Sequence, residues 1–252
     1  MMNVLDDLRK KIDACDRKLL ELFEERMAIV DEIGRCKRKH GLPIYDPKRE
    51  AEILQRYTGD VQQFFSEIMR LSRARQAREL LPYNIVLIGF MGTGKSAVGK
   101  VLAHDLGREF VDLDQAAEER IGMSISGFFK IQGESAFRAL EQELVREFAV
   151  YEGMVIACGG GVVLEPSNVK RLRQTGRLVL LEAEPETIYE RLKNDTSRPV
   201  LGDQVQLETI KKLLDSRDEK YKRSADLVVN TDQKNVQETA DEIIRRLLQG
   251  ES

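Results

Sequence analysis

From residue 3 to about 81 apolar side chains recur three and four positions apart, the period of a helix. From Asn84 onward short apolar runs alternate with amphipathic stretches. In the first part Leu5, Leu8, Ile12, Cys15, Leu19, Leu22, Arg26, Ile29, Ile33 and Cys36 follow one another at spacings of three and four without a break. This predicts one long helix with a heptad seam, about 48 Å at 1.5 Å per residue, of the coiled-coil or bundle kind. Asp46-Pro47 predicts the start of a second helix, with a carboxylate at the N-cap and proline at the first helical position. A third is predicted from about Val61 to Leu81. In the second part the runs IVLIGF, EFVDLD, MVIACGG, RLVLLEA and ADLVVN alternate with helical stretches, which predicts a parallel sheet with helices on both faces. Pro82-Tyr83-Asn84 is the natural junction, because proline cannot extend the preceding helix. The expected domains are residues 1–82, all-α, and 83–252, α/β.

Composition narrows the classes. The chain has 252 residues, a third of them charged, and no tryptophan, enough for two domains with sizeable cores. Its net charge is −3, with a mildly basic first part and an acidic remainder, and neither suggests a nucleic-acid surface. No apolar run approaches the roughly 20 residues of a membrane span, and MMNVLDDLRKKID has no apolar signal-peptide core. Three scattered cysteines and two histidines, His40 and His104, give no metal spacing, no disulfide framework and no histidine-centred triad. A cytoplasmic protein without nucleic-acid or membrane partners is expected.

One polar residue interrupts the seam. Arg26 stands where every other residue is apolar, and a guanidinium buried there needs an anionic partner, either a carboxylate of the protein or one on a ligand. Lys37 is three turns, about 16 Å, further along nearly the same face, so the two cations could hold a small dianion between them. Arg9 is about 25 Å from Arg26 and rotated about 100° around the helix. If it serves the same ligand, it must come from a second copy. Arg49 and Glu50 fall in the first turns of the second helix, and Ser72 and Gln76 lie four apart on the third. For any one of these the ordinary alternative is a solvated side chain.

In the second part, Gly89–Ser96 reads GFMGTGKS, matching G-x-x-x-x-G-K-[ST] directly after the apolar run Ile85–Ile88. Glycines there let backbone N–H groups curl around an anion, Lys95 reaches β- and γ-phosphates, and the Ser96 hydroxyl is available to Mg²⁺. The expected ATP contacts are Gly92, Thr93, Gly94, Lys95, Ser96 and Ala97. In FVDLD the spacing places Asp112 and Asp114 at alternate positions ending a strand, so that one carboxylate can face Mg²⁺ and the other an acceptor. GESAFRALE puts Arg138 and Glu141 three apart on one helix face. Gly159-Gly160-Gly161 follows the strand MVIAC, where backbone could approach a ligand closely. Arg191, Arg198 in TSRPVL, and Arg217 four residues before Tyr221 complete the series.

LRKKID, EERMAIVDEIGRCK, DPKRE and SRARQ, in that order and spacing, resemble the all-helical chorismate mutases over residues 3–80. The resemblance implies an intertwined homodimer of three-helix chains that rearranges chorismate to prephenate. By it Arg26, and Arg9 from the partner subunit, would grip the two carboxylates. Lys37 and Gln76 would meet the ether oxygen, and Glu50 and the backbone at Asp46 the ring hydroxyl. Arg49 would orient neighbouring groups and Ser72 would assist a carboxylate. Such a rearrangement needs a folded substrate and stabilised charge on the breaking ether bond, and no nucleophile.

From about residue 84 to 249 the phosphate loop and the later motifs resemble shikimate kinase, which implies a small nucleoside-monophosphate-kinase-like P-loop fold. By that resemblance Asp112 would hold Mg²⁺ through water, and Asp114 would bind and orient the 3-hydroxyl of shikimate. Arg138 and Arg217 would hold its carboxylate, with Gly159, Gly160 and Gly161 lining the pocket. Arg191, with the loop Asn230-Thr231-Asp232, would lie by the adenine, and Arg198, on a lid, would reach the phosphates. For Arg198 the alternative is a surface-loop arginine.

The expectation is therefore a bifunctional enzyme of aromatic amino-acid biosynthesis acting on chorismate, shikimate and ATP, with Mg²⁺ as cofactor. Its expected catalytic residues are Lys37, Gln76 and Glu50, and Asp114, Lys95 and Arg198. Two other readings stay open: a kinase regulated by a dimerising helical sensor of chorismate or prephenate, and a P-loop kinase for another hydroxylated acid or sugar.

Overall fold

The computed structural model describes residues 2–193 and 206–250. Arg198 and the TSRPVL segment lie outside the described residues. Contacts within the chain form two compact units, Met1–Leu80 and Leu81–Ser252.

The first unit is three helices: α1 (Met2–His40), α2 (Pro47–Leu54) and α3 (Gly59–Leu80). α1 runs without proline and stops where Gly41 adopts a left-handed φ of 65°, after a last turn carrying Lys37, Arg38, Lys39 and His40 beside the helix's negative end. Asp46 caps α2, its side chain accepting from the Arg49 amide at 3.0 Å.

The heptad seam of α1 lies on one long helix, as its spacing predicts. Within the chain its apolar members are not a packing stripe: Leu5, Leu8, Ile12, Leu19, Leu22, Ile29 and Ile33 are 44–63% exposed. What packs toward α3 is a neighbouring stripe in the second half of α1, carrying Met27, Val30 and Gly34. The physical reason is that one helix cannot bury two faces against a single neighbour. Arg26 sits half-buried at the border of the two stripes rather than inside an apolar seam.

The second unit is a five-stranded parallel sheet in the order β2-β3-β1-β4-β5. The strands are β1 (Asn84–Ile88), β2 (Phe110–Asp112), β3 (Val155–Ala157), β4 (Gly176–Glu182) and β5 (Leu227–Asn230), corresponding to the five predicted runs. β1 is buried at every residue because helices cover both faces, and Val86 stands between Ile156 and Leu178 in register. Fully buried Asn84 starts that strand by bridging to the chain near β3, donating to the Tyr151 carbonyl at 2.6 Å and accepting from the Met154 amide at 2.8 Å. The helices are α4 (Lys95–Leu106), α5 (Leu113–Ile121), α6 (Ile125–Phe148), α7 (Pro166–Thr175), α8 (Pro185–Leu192), α9 (Leu207–Ser224) and α10 (Val236–Gln249). α6 breaks at Gly133, whose φ of 78° and ψ of 174° are not helical. The loop after central β1 opens at the carboxyl edge of the sheet, where open α/β sheets bind ligands.

One placement corrects the sequence reading. Asp114 is not on a strand: β2 ends at Asp112, which caps α5, and Asp114 lies in the first turn of that helix. Asp112 Oδ1 accepts from the amides of Asp114 at 3.0 Å and Gln115 at 3.4 Å, and this local capping takes over before the strand can continue.

Candidate active sites

In the second unit the phosphate loop, α5, α6 and the Gly159–Gly161 turn surround one cleft of about 560 Å³. Gly92, Gly94, Lys95, Ser96, Ala97, Asp112 and Arg191 line it together with Asp114, Arg138, Glu141, Gly160, Gly161 and Arg217. Sequence positions more than a hundred residues apart are thus brought to one cavity.

Gly94 precedes α4 with φ 94°, so the chain turns left-handed just where the helix's unpaired amides begin. Lys95 is buried and its ammonium donates to the Gly89 carbonyl at 3.0 Å and the Phe90 carbonyl at 2.8 Å, which holds it under the loop. Ser96 Oγ donates to Asp112 Oδ2 at 2.5 Å. Two oxygen donors beside a helix N-terminus are a donor set that fits magnesium, which prefers few protein oxygens together with water and phosphate. Thr93 is buried and turns its hydroxyl back to the Phe90 carbonyl at 2.8 Å, so it shapes the loop rather than lining the cleft.

Arg191 on α8 donates to the Gly92 carbonyl at 3.1 Å and to the Thr231 hydroxyl and carbonyl, both at 3.0 Å. That joins the phosphate loop to the Asn230-Thr231-Asp232 loop. Asp232 accepts from the Glu184 amide and from Asn230, holding this loop against the start of α8.

Also on the cleft, Arg138 pairs with Glu141 at 3.0 Å and with Glu134 at 3.0 Å. Glu141 is 4% exposed and its Oε1 has no hydrogen-bond partner among the described residues. Burial raises its carboxyl to about 7 against the pull of Arg138, and Asp114 adds to the rise. Buried Tyr221 donates its hydroxyl to the Gly160 carbonyl at 2.5 Å, and Arg217 reaches the same carbonyl at 3.5 Å. Burial pushes the Tyr221 phenol up to about 12 and the Cys158 thiol up as well, so both stay protonated near neutrality. Two of the three glycines, Gly159 and Gly161, are close-approach positions. A Cβ on Gly161 would collide with the Arg138 guanidinium, and one on Gly159 with the Asp114 carboxylate. Gly159 thus stands behind Asp114 rather than on the cleft wall.

In the first unit Arg26 donates to Ser72 Oγ at 2.5 Å, and that hydroxyl donates onward to the Ile68 carbonyl at 2.6 Å. Lys37 donates to the Ile44 carbonyl at 2.6 Å. Burial lowers the pKa of both cations, opposed by Glu50 at Arg26 and by Asp46 and Glu50 at Lys37. Buried Gln76 donates weakly to the Ser72 carbonyl at 3.3 Å, and its Oε1 has no partner among the described residues. That orphan end, or the amide nitrogen after exchange of the two, is where a ligand atom is wanted. Gly34 lets α1 come close: a Cβ there would stand 3.2 Å from Gln76 Cγ.

Two expected residues are not brought to this group within one chain. Arg49 is exposed and pairs with Glu52 at 3.1 Å, and Arg9 is exposed beside Asp6 at 3.3 Å. A third residue, Arg73, carried no role in the sequence reading. It is 6% exposed, its guanidinium holds both oxygens of Glu50, and it lies 5.0 Å over the Tyr45 ring. Its place between Ser72 and Gln76 was visible, but its partner on α2 was not. Phe129 and Phe137, 5.0 Å apart on the cleft wall of the second unit, were equally unsignalled.

Residues 91–248 match the family model of shikimate kinase, and residues 8–77 that of chorismate mutase type II. Over 162 residues the chain is 46% identical to a shikimate kinase of Thermodesulfovibrio yellowstonii, covering 64% of this chain and 93% of that one. A shikimate kinase of Geobacter sulfurreducens is 45% identical over 160 residues, covering 64% and 88%. Among solved structures, a shikimate kinase from Acinetobacter baumannii in complex with shikimate is similar with TM-score 0.67 at 33% identity, over 70% of this chain and 98% of that one.

Proposed function

We propose that this chain, which belongs to the shikimate kinase family and carries a chorismate mutase type II domain ahead of its kinase domain, catalyses both reactions at separate sites. One site transfers the γ-phosphoryl group of ATP to the 3-hydroxyl of shikimate, and the other rearranges chorismate to prephenate. The observation that carries the kinase assignment is that one cleft is lined both by the phosphate loop and by Asp114, Arg138 and Arg217.

In the kinase site the loop amides and Lys95 bind the phosphates. Ser96 and Asp112 would hold Mg²⁺, which when bound neutralises phosphate charge. Arg138 and Arg217 bind the carboxylate of the acceptor and fix its ring, so that the 3-hydroxyl faces Asp114. A bond forms between that oxygen and the γ-phosphorus as the β–γ bridging bond breaks, and the hydroxyl proton passes to the Asp114 carboxylate. This chemistry asks for alignment and charge neutralisation rather than a covalent intermediate. Arg191 packs beside the adenine, and Arg198 would add positive charge for the phosphates.

In the mutase site Arg26, steadied by Ser72, binds one carboxylate. Arg9 from a second copy binds the other, the distance along α1 being too great for Arg9 of the same chain. Lys37 and Gln76 stabilise charge on the ether oxygen as its bond breaks, and Glu50 and the Asp46 backbone hold the ring hydroxyl. Arg49 orients the neighbouring groups. The exposed apolar seam of α1 supports a homodimer through this unit, because an unpartnered stripe of that length calls for a second helix.

The test is direct. The purified chain is given chorismate while its absorbance is followed, then ATP and shikimate while ADP is followed, with and without prephenate. Loss of both substrates is expected. Unchanged chorismate, with ADP release altered by chorismate or prephenate, would replace the mutase by a sensor.

A further inference from the structure

We infer that Arg73 is a positioning residue of the mutase site, holding the Glu50 carboxylate so that Lys37 and Arg26 remain free for the substrate's charges. The inference rests on the mutase reading above and extends it to a residue that touches no substrate.

Glu50 is the negative centre of the first unit's cationic group. Its charge acts on both Arg26 and Lys37, opposing the effect of burial on each. Yet neither cation bonds to it: Arg26 donates to Ser72 and Lys37 to the Ile44 carbonyl. The carboxylate is taken by Arg73, which reaches both oxygens from α3. Arg73 is in turn immobilised, its side chain 7% exposed and its guanidinium over the Tyr45 ring, a favourable place for a cation. Both contacts to Glu50 come from one guanidinium nitrogen, Nη1, so a single cation at that point keeps the pair.

Removing Arg73 would leave a mostly buried carboxylate without its partner, which is strongly unfavourable. The nearest remedies are Lys37 and Arg26, whose long side chains can turn toward Glu50. Each would then be withdrawn from the substrate: Lys37 from the breaking ether bond, Arg26 from a carboxylate.

The experiment compares the full-length chain with Arg73→Met, Arg73→Lys, Glu50→Gln and the Arg73→Met/Glu50→Gln double variant, measuring kcat and KM for chorismate and thermal unfolding by circular dichroism. For Arg73→Met, kcat is expected to fall about tenfold or more, a misplacement effect, while Arg73→Lys keeps most of it. Because Gln cannot capture a cation, the double variant is expected to match Glu50→Gln alone. A wild-type kcat in Arg73→Met would overturn the inference, as would losses that add in the double variant or follow the unfolded fraction. If Arg73→Met does not fold, the comparison of the double variant with Glu50→Gln still decides. An unmodified chain without chorismate turnover would overturn the mutase reading and this inference with it, whereas an active chain indifferent to Arg73 would overturn the inference alone.

Discussion

Gly159, in the turn after β3, and Asp114, in the first turn of α5, occupy adjoining space: a Cβ on the glycine would overlap the aspartate's carboxylate oxygen. The backbone of one residue therefore sets where the other's carboxylate can stand. Gly159→Ala pushes Asp114 off its position, and displacing a reacting group by about 1 Å can lower a rate on the order of a hundredfold. The expected result is a large fall in kcat with shikimate and little change in melting temperature, since a short side chain can rotate aside. Steady-state kinetics beside a thermal scan checks it, and an unaffected kcat would remove Asp114 from the chemistry.

Asp112 joins two tasks, capping α5 and accepting from Ser96. Asparagine caps a helix about as well as aspartate, so Asp112→Asn separates them. The variant is expected to fold normally and to need roughly tenfold more magnesium for half its maximal rate, one charge fewer having to hold a dication. Titration of ADP release against Mg²⁺ measures this.

The pH dependence of stability follows from Glu141. Its carboxyl is raised from 4.5 to about 7 by burial, so the folded chain holds a proton that the unfolded chain has already released in that interval. Stability should fall as pH rises from about 4.5 to about 7, by at most about 3 kcal/mol. Glu141→Gln removes this dependence, and the variant is expected to gain in unfolding temperature relative to the unmodified chain across the same window. A constant difference between the two would show that the carboxyl is already ionised.

If Arg9 acts across a dimer, two inactive variants should complement each other. Arg9→Ala and Lys37→Ala chains, unfolded together and refolded as a mixture, give mixed dimers with one whole site and one doubly damaged site. Random pairing restores roughly a quarter of the unmodified mutase activity. Activity no greater than the sum of the separate variants would place Arg9 outside the partner's site.

Much of the kinase unit is legible in the amino-acid sequence, because its signals are local. Five apolar runs gave five strands, and the motif at Gly89–Ser96 named its own chemistry. Asp114 alone departs from the strand reading, through a local competition: Asp112 ends β2 as expected and caps a helix where alternation suggested continued strand. What was not legible depends on pairing between elements. The heptad period of α1 marked a stripe that the chain itself leaves exposed, while the stripe that packs toward α3 lies beside it. Arg73 could not be assigned because its meaning lies in Glu50, 23 residues away on another helix.

The most direct test of two independent sites in one chain is a paired assay of Lys37→Ala. Chorismate turnover is expected to be abolished while shikimate-dependent ADP formation keeps its unmodified kcat and KM. Retained chorismate turnover, or loss of both activities together in a chain that remains folded, would contradict it.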